Sequence, residues 1–309
     1  MIYRFPFCIL ALISILFLSC QGQKNNAQLP PSVALSDYWY QGKAEISTYE
    51  LTQNRYDDQH PGEAVLVFVT EDFLTDEQVK NDRGQNPNST KVMKTNFIKR
   101  FTTGLYDYSI MTSVFTAVDQ SRFPGSFKVS MSSQDWCGQS FMQLNKSAGQ
   151  YKVQLRSYFE SEGDENTSIP VQILEDELFN LIRMSPDLLP KGQVQMIPPS
   201  SYCRLKHIDM KAYPTEAAMM SYQDTLFEGK ELMSYHVKYA DLNRSLQIVF
   251  EKASPHKIEG WIEEYPSAFD NQLRKTVAIK KADVFSPYWK KNHRSDSTAR
   301  KKLDLHDFD

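Results

Sequence analysis

The sequence predicts a mainly β fold: a strongly curved antiparallel sheet or incomplete β-barrel with one amphipathic helix packed against it. Three observations predict it. About a dozen short segments alternate apolar and polar residues with a period of two and are separated by turn residues. One stretch, near residues 170–184, carries apolar residues at helical spacing. Aromatic residues make up 12% of the chain, with 16 Tyr and 18 Phe, and these residue types favour strands. An open sheet of that many strands curls or closes rather than staying flat.

The chain begins with a segment that stands apart from that fold. Arg4 supplies a positive charge, residues 5–18 are apolar except for Pro6 and Ser14, and Leu18-Ser19-Cys20 follows. About fourteen apolar residues are too few for a spanning helix, which needs roughly 20, so residues 1–20 read as a secretory signal. The Leu-Ser-Cys ending resembles the lipobox of bacterial lipoproteins. That resemblance implies that Cys20 is acylated and becomes the first of 290 remaining residues. Acyl chains contribute ~0.8 kcal/mol per buried CH₂, so several chains anchor a protein permanently. With Gln21 rather than Asp after the Cys, the resemblance implies the outer membrane and its periplasmic leaflet. A cleaved, non-lipidated signal is the alternative. Residues 21–36 read as a flexible tether, stiffened by Pro30-Pro31.

The folded part is expected to span residues 37–289, starting at the aromatic cluster Tyr38-Trp39-Tyr40. Residues 44–56 predict a long strand whose apolar contacts step from Ile46 to Tyr49 and Leu51, which implies a bulge near Ser47-Thr48. Residues 64–69 are apolar at every position and predict a strand covered on both faces. Residues 76–94 read as a polar surface excursion. Tyr108, Ile110, Thr112, Val114 and Val118 share one face of the next strand. Alternation then marks strands through Phe127, Val129 and Met131 and through Tyr151, Val153 and Leu155.

Val171, Leu174, Leu178, Leu181 and Ile182 form the helical stripe, with Ser168 as the expected N-cap, Pro170 just inside and Ser185-Pro186 as the stop. A helix of this kind covers one face of the sheet, and it offers the second cover that residues 64–69 require. Beyond it, Cys203 and Leu205 alternate with polar neighbours, as do Tyr235-Val237-Tyr239, Leu246-Ile248-Phe250, Ile258-Gly260-Ile262 and Leu273-Val277-Ile279, predicting further strands. Two halves divided near residue 190 are an alternative to one domain. Residues 290–309 are charged and predict a frayed tail.

Net charge is −3, which argues against nucleic acid as a partner. The six histidines are scattered without HExxH or HxH spacing, and no P-loop, GxGxxG or GxSxG is present, so no metal, cofactor or catalytic set is expected. The acidic run at residues 160–165 lacks the spacing of a Ca²⁺ loop and reads as a solvated turn. With Cys8 in the signal and Cys20 lipidated, Cys137 and Cys203 remain as an even pair in an oxidising compartment. A disulfide between them is the expectation and two buried thiols the alternative. Trp39, Trp136, Leu178, Leu181 and Trp261 are candidates for lining an apolar cavity on the concave face, although core packing accounts for such residues more often.

From Trp39-Tyr40-Gln41-Gly42, through Tyr108-Ser109-Ile110-Met111-Thr112 and Tyr158-Phe159-Glu160-Ser161-Glu162-Gly163-Asp164, to Tyr288-Trp289, the chain resembles a family of bacterial lipoproteins whose members often carry the label "septum formation inhibitor Maf". The nucleotide pyrophosphatases of that name have an N-terminal Ser-x-Ser-Pro-Arg-Arg loop. This chain lacks it, so the resemblance carries no catalytic residues. In architecture the chain also resembles lipoprotein carriers of the LolA/LolB type, which place helical cover over a bent sheet. Three readings follow: a non-enzymatic envelope scaffold that meets a partner protein, a carrier of an apolar ligand or lipid on the concave face, and an envelope hydrolase. The first leads.

Overall fold

The computed structural model describes residues 1–2 and 33–305. All but the first two residues of the expected signal, Cys20, most of the expected tether and residues 306–309 lie outside the described residues. Fifteen strands form one continuous sheet, curved but not closed. The first eight are β1 (Ala44–Arg55), β2 (Asp58–Leu74), β3 (Ser89–Thr103), β4 (Tyr106–Ala117), β5 (Ser126–Asp135), β6 (Gly138–Ser147), β7 (Gln150–Ser157) and β8 (Asp164–Pro170). They pair antiparallel in chain order. The chain then crosses to the far edge through β9 (Ile173–Leu174), α1 (Leu178–Met184), β10 (Gly192–Ile197) and α2 (Ser200–Lys206). It returns through β11 (Tyr213–Ser221), β12 (Leu232–Tyr239), β13 (Arg244–Glu251), β14 (Ile258–Pro266) and β15 (Leu273–Ser286) to pair with β1. β9 and β10 are the one parallel pair, and β8 and β9 are the two free edges. The expected boundary near residue 190 falls in the crossing segment, and the sheet runs through both sides of it.

Strand alternation sorts the side chains. Tyr49, Leu51, Ala64, Leu66, Phe68, Tyr235, Ile248 and Trp261 point inward to one buried cluster. Ile110, Val129, Met131, Leu144 and Tyr151 form a second cluster on the same face. Inside the curve lies α1, whose seven residues are all buried. A helix buried all round must satisfy its polar groups locally. Asn180 accepts a hydrogen bond from Thr95 and donates to Met93 O at 3.0 Å and Thr116 Oγ1 at 2.8 Å. Arg183 donates through Nη2 to Glu45 and stacks on the rings of Trp39 and Phe68 at 5.0 and 5.2 Å, which leaves its Nε and Nη1 buried without a hydrogen-bond partner among the described residues. At β2, Gly62 is required by close approach, because a Cβ there would sit 2.7 Å from that of Phe101.

Several sequence expectations are corrected. The helix is shorter than residues 170–184: Ser168 and Pro170 pair in β8, and a 3₁₀ turn, Glu175–Glu177, precedes α1. Residues 202–206 form α2 rather than a strand, because Asp176 from another element accepts the Ser200 N–H at 2.9 Å and caps the helix. The bulge lies opposite its expected site. Thr48 faces Ala282 and Tyr49 faces Lys280, so the extra residue, Lys281, belongs to β15.

Ile46 points outward into a separate cluster with Val67 and Val69, covered by Leu303. The tail is therefore not frayed within the described residues. It folds through Arg294–Ser297 and α3 (Thr298–Lys301), buries Leu303 and accepts a hydrogen bond from Thr48 at Leu303 O, 2.6 Å. β2 is covered on both faces as expected, with the helix inside and the tail outside.

Candidate functional site

The residues expected to line a hollow separate. Trp39, Leu178, Leu181 and Trp261 are buried together in the central cluster, packed by Phe68, Phe97 and Phe179. Trp136 is 68% exposed at the β5–β6 turn and lines no hollow, because a hairpin tip projects beyond the sheet's inner face. The void left beside Trp261 measures about 40 Å³, room for a few water molecules and too little for a lipid.

That void is polar on one side. Arg244 binds Glu175 through both terminal nitrogens at 2.5 Å and Glu263 through Nε at 3.0 Å. Lys99 reaches the same void, and burial holds its pKa below the ordinary lysine range. Asp176 accepts from Ser200, and burial pushes its carboxyl up to about 7. Glu177 accepts from Ser126 Oγ at 2.7 Å, and burial raises it as well. Glu175, Asp176 and Glu177 are the three acidic residues that precede α1. In the fold they tie the crossing segment to β5, α2 and β13. Sequence reading missed Lys99 and Arg244, because a lone cation in an alternating strand looks like an outward residue.

Cys137 and Cys203 are both free, which corrects the expected disulfide. Cys137 is exposed beside Trp136, while Cys203 is enclosed in α2 with its thiol 3.9 Å from Pro198 O, so one sulfur faces solvent and the other the core. Burial pushes the Cys203 thiol well up, which favours its protonated form.

The most exposed apolar side chains share a position in the fold. Apart from Met1 and Ile2, the four most exposed large apolar side chains are Leu105 (80%), Trp136 (68%), Phe269 (68%) and Tyr158 (67%). Each occupies a different hairpin turn, between β3 and β4, β5 and β6, β14 and β15, and β7 and β8. The pairing registers put all four turns at one end of the sheet, with the β1–β2 turn among them. Neighbouring hairpins are separated by two strand spacings, roughly 10 Å, so the four make a row along one rim.

The turns beneath this row are pinned, that of Leu105 by Thr102 Oγ1, which donates to Asp107 Oδ1 at 2.6 Å. Cys137 N donates to Asp135 Oδ1 at 2.7 Å, and Phe269 N to Ser267 Oγ at 3.0 Å. Arg274 grips Asp270 with both nitrogens, at 2.8 and 2.6 Å. Phe269 meets Tyr56 edge-on at 5.2 Å, and Tyr158 lies over Gly138, where a Cβ would come within 2.7 Å of its ring. The chain enters the sheet at the opposite end, where Trp39 precedes Ala44. β1 is 12 residues long, which separates that entry from the rim by roughly 40 Å.

No protein-family model matches the chain, and no curated protein does. Among solved structures, a porin-like protein from Bacteroides uniformis is similar over 82% of this chain and 99% of its own, at 8% identity and a TM-score of 0.21. A likeness at that level carries nothing about function. Among the described residues no helix is long and apolar enough to cross a membrane.

Proposed function

We propose that this chain is a lipid-anchored envelope protein, held in the outer membrane through Cys20, that binds a protein partner through its rim and catalyses no reaction. The observation that carries the reading is the row of Leu105, Trp136, Tyr158 and Phe269 on pinned turns at the end away from the chain's entry. Large aromatic side chains held rigid contribute most of the binding energy of protein interfaces, because little entropy is lost when they are buried. An anchor at one end and a rim at the other would hold the binding surface away from the membrane. The central part of the concave face supports a carrier less well, since aromatics and α1 fill it.

The test is photo-crosslinking in living cells, with the photo-reactive amino acid placed at Leu105, Trp136 or Phe269 and, as the control, at Val79 on the opposite end. Rim positions should give a discrete adduct that the control lacks and that disappears when Trp136 and Phe269 are both changed to Ser. Adducts of equal strength from both ends, or none from the rim, would overturn the reading. The anchor is tested separately: Cys20→Ala should release the protein from the membrane fraction.

A further inference from the structure

Where the sheet fails to close, a cleft of about 360 Å³ opens between β6–β8 and the segment that follows α2. This lies at the lower end of the ~300–1,000 Å³ common for small-molecule sites. Its apolar walls are Met142, Val153, Leu155, Ile169, Ile208 and Met210, aliphatic or thioether side chains, and the one ring in the lining is the His207 imidazole at the polar end. Methionine and branched aliphatic walls suit a flexible chain better than a planar ring, which would call for stacking partners.

One end of the cleft carries a fixed charge. Arg204 is 4% exposed; its Nε donates to Ser140, its Nη1 lies 3.8 Å from Glu162 Oε1, and its guanidinium stacks on Phe159 at 4.5 Å. Its Nη2 has no hydrogen-bond partner among the described residues. Glu162 is already satisfied, by His207 Nδ1 at 2.6 Å on one oxygen and Ser157 on the other. Lys211 adds a second cation at the mouth. Glu165 and Asp209 also stand there, and like Lys211 they are exposed, so water and salt screen all three and the buried Arg204 is the cation that acts on a ligand.

We infer that the cleft binds a single aliphatic chain ending in an anionic group, with the chain along Met142, Val153 and Ile169 and the anion on Arg204 Nη2. This goes beyond the rim reading and does not depend on it. The rigid guanidinium offers a charge-assisted bond to a carboxylate or phosphate without further ordering. The ligand could be a free fatty acid or a single-chain phospholipid, since both present that chemistry.

The experiment uses the full chain in phosphatidylcholine vesicles and a saturated fatty acid bearing a mid-chain diazirine. Irradiation should give a saturable adduct on peptides from β6 to β8 and from residues 207–211. Unlabelled fatty acid should displace the probe about tenfold better than the alcohol of the same chain length, the margin one charge-assisted hydrogen bond gives. Displacement by lysophosphatidylglycerol that exceeds the acid's would assign the ligand to phospholipid, and the reverse order would assign it to fatty acid. Ile169→Trp, which fills the cleft at an edge strand, should abolish the adduct. Arg204→Gln should remove the acid's advantage over the alcohol, with circular dichroism reporting the fold of both variants. Labelling spread evenly along the chain, labelling unchanged by Ile169→Trp, or equal displacement by acid and alcohol would each overturn the proposal.

Discussion

Asp176 joins two roles at one carboxyl. It caps α2 by accepting from Ser200 N and Oγ, and it does so where burial raises its pKa to about 7. Between pH 4 and 7 the folded chain keeps a proton that the unfolded chain releases, so this group's contribution is fully present at low pH and lost as pH rises. After discounting for its part-buried position, the loss is of the order of 2 kcal/mol. Asp176→Asn keeps the cap acceptor and removes the titration. Its urea midpoint should equal the wild type's near pH 4 and exceed it near pH 7.5; a difference constant with pH would contradict the assignment. His236 and His256, which burial holds below their usual pKa, act in the opposite direction and cancel in the comparison. The two cysteines give a second residue-scale prediction. A thiol reagent should modify Cys137 in the folded protein and reach Cys203 only after unfolding, whereas a disulfide would leave neither reactive.

Between residues and fold, the elements show which signals were local and which were not. The strands were legible wherever one face is buried, because alternation with period two is written in successive residues, as at Tyr108, Ile110, Thr112 and Val114. α2 was not legible: its five-residue alternation mimics a strand, and its cap, Asp176, is 24 positions away. The two apolar faces of β2 were read correctly, but the cover of the outer face was not. One buried leucine in a charged tail is too weak a pattern to separate from solvent-exposed sequence, and sequence gave no register for Leu303 against Ile46, Val67 and Val69. The rim was equally hidden, since Leu105, Trp136, Tyr158 and Phe269 become a row only once the hairpins are aligned. The tail's role is testable as an element. Leu303→Ala should cost ~2 kcal/mol in unfolding free energy. Leu303→Asp should release the strap, giving rapid tryptic cleavage at Lys290, Lys291 or Arg294 while the remainder stays folded. Cleavage no faster than in wild type would show that the contact is dispensable.

At the scale of the whole molecule, an unclosed sheet has to protect two edges from pairing with other chains. The β9 edge, part of the crossing segment, is only two residues long, which leaves little to pair with. The β8 edge is longer, seven residues, and most of it is exposed. Its sequence supplies the protection: Asp164 and Glu165 begin it, Asn166, Thr167 and Ser168 continue it, and Pro170, which has no N–H to donate, ends it. Arg156 adds to this by binding Glu165 O at 2.9 Å and Asn166 Oδ1 at 2.9 Å, so part of the edge's polar surface is already occupied. A second chain approaching β8 would therefore bring its own β8 carboxylates against these, a repulsion that ordinary salt screens only in part. Replacing Asp164, Glu165 and Asn166 together by Val would leave the pairing with β7 in register while removing the charge and raising strand propensity. The expected outcome is association that grows with protein concentration, measured by light scattering, with slowed amide exchange along residues 164–169. Wild type should show neither change under the same conditions. A variant that stays monomeric with rapid exchange at this edge would mean that the geometry of the seam, and not its charge, keeps the sheet from extending.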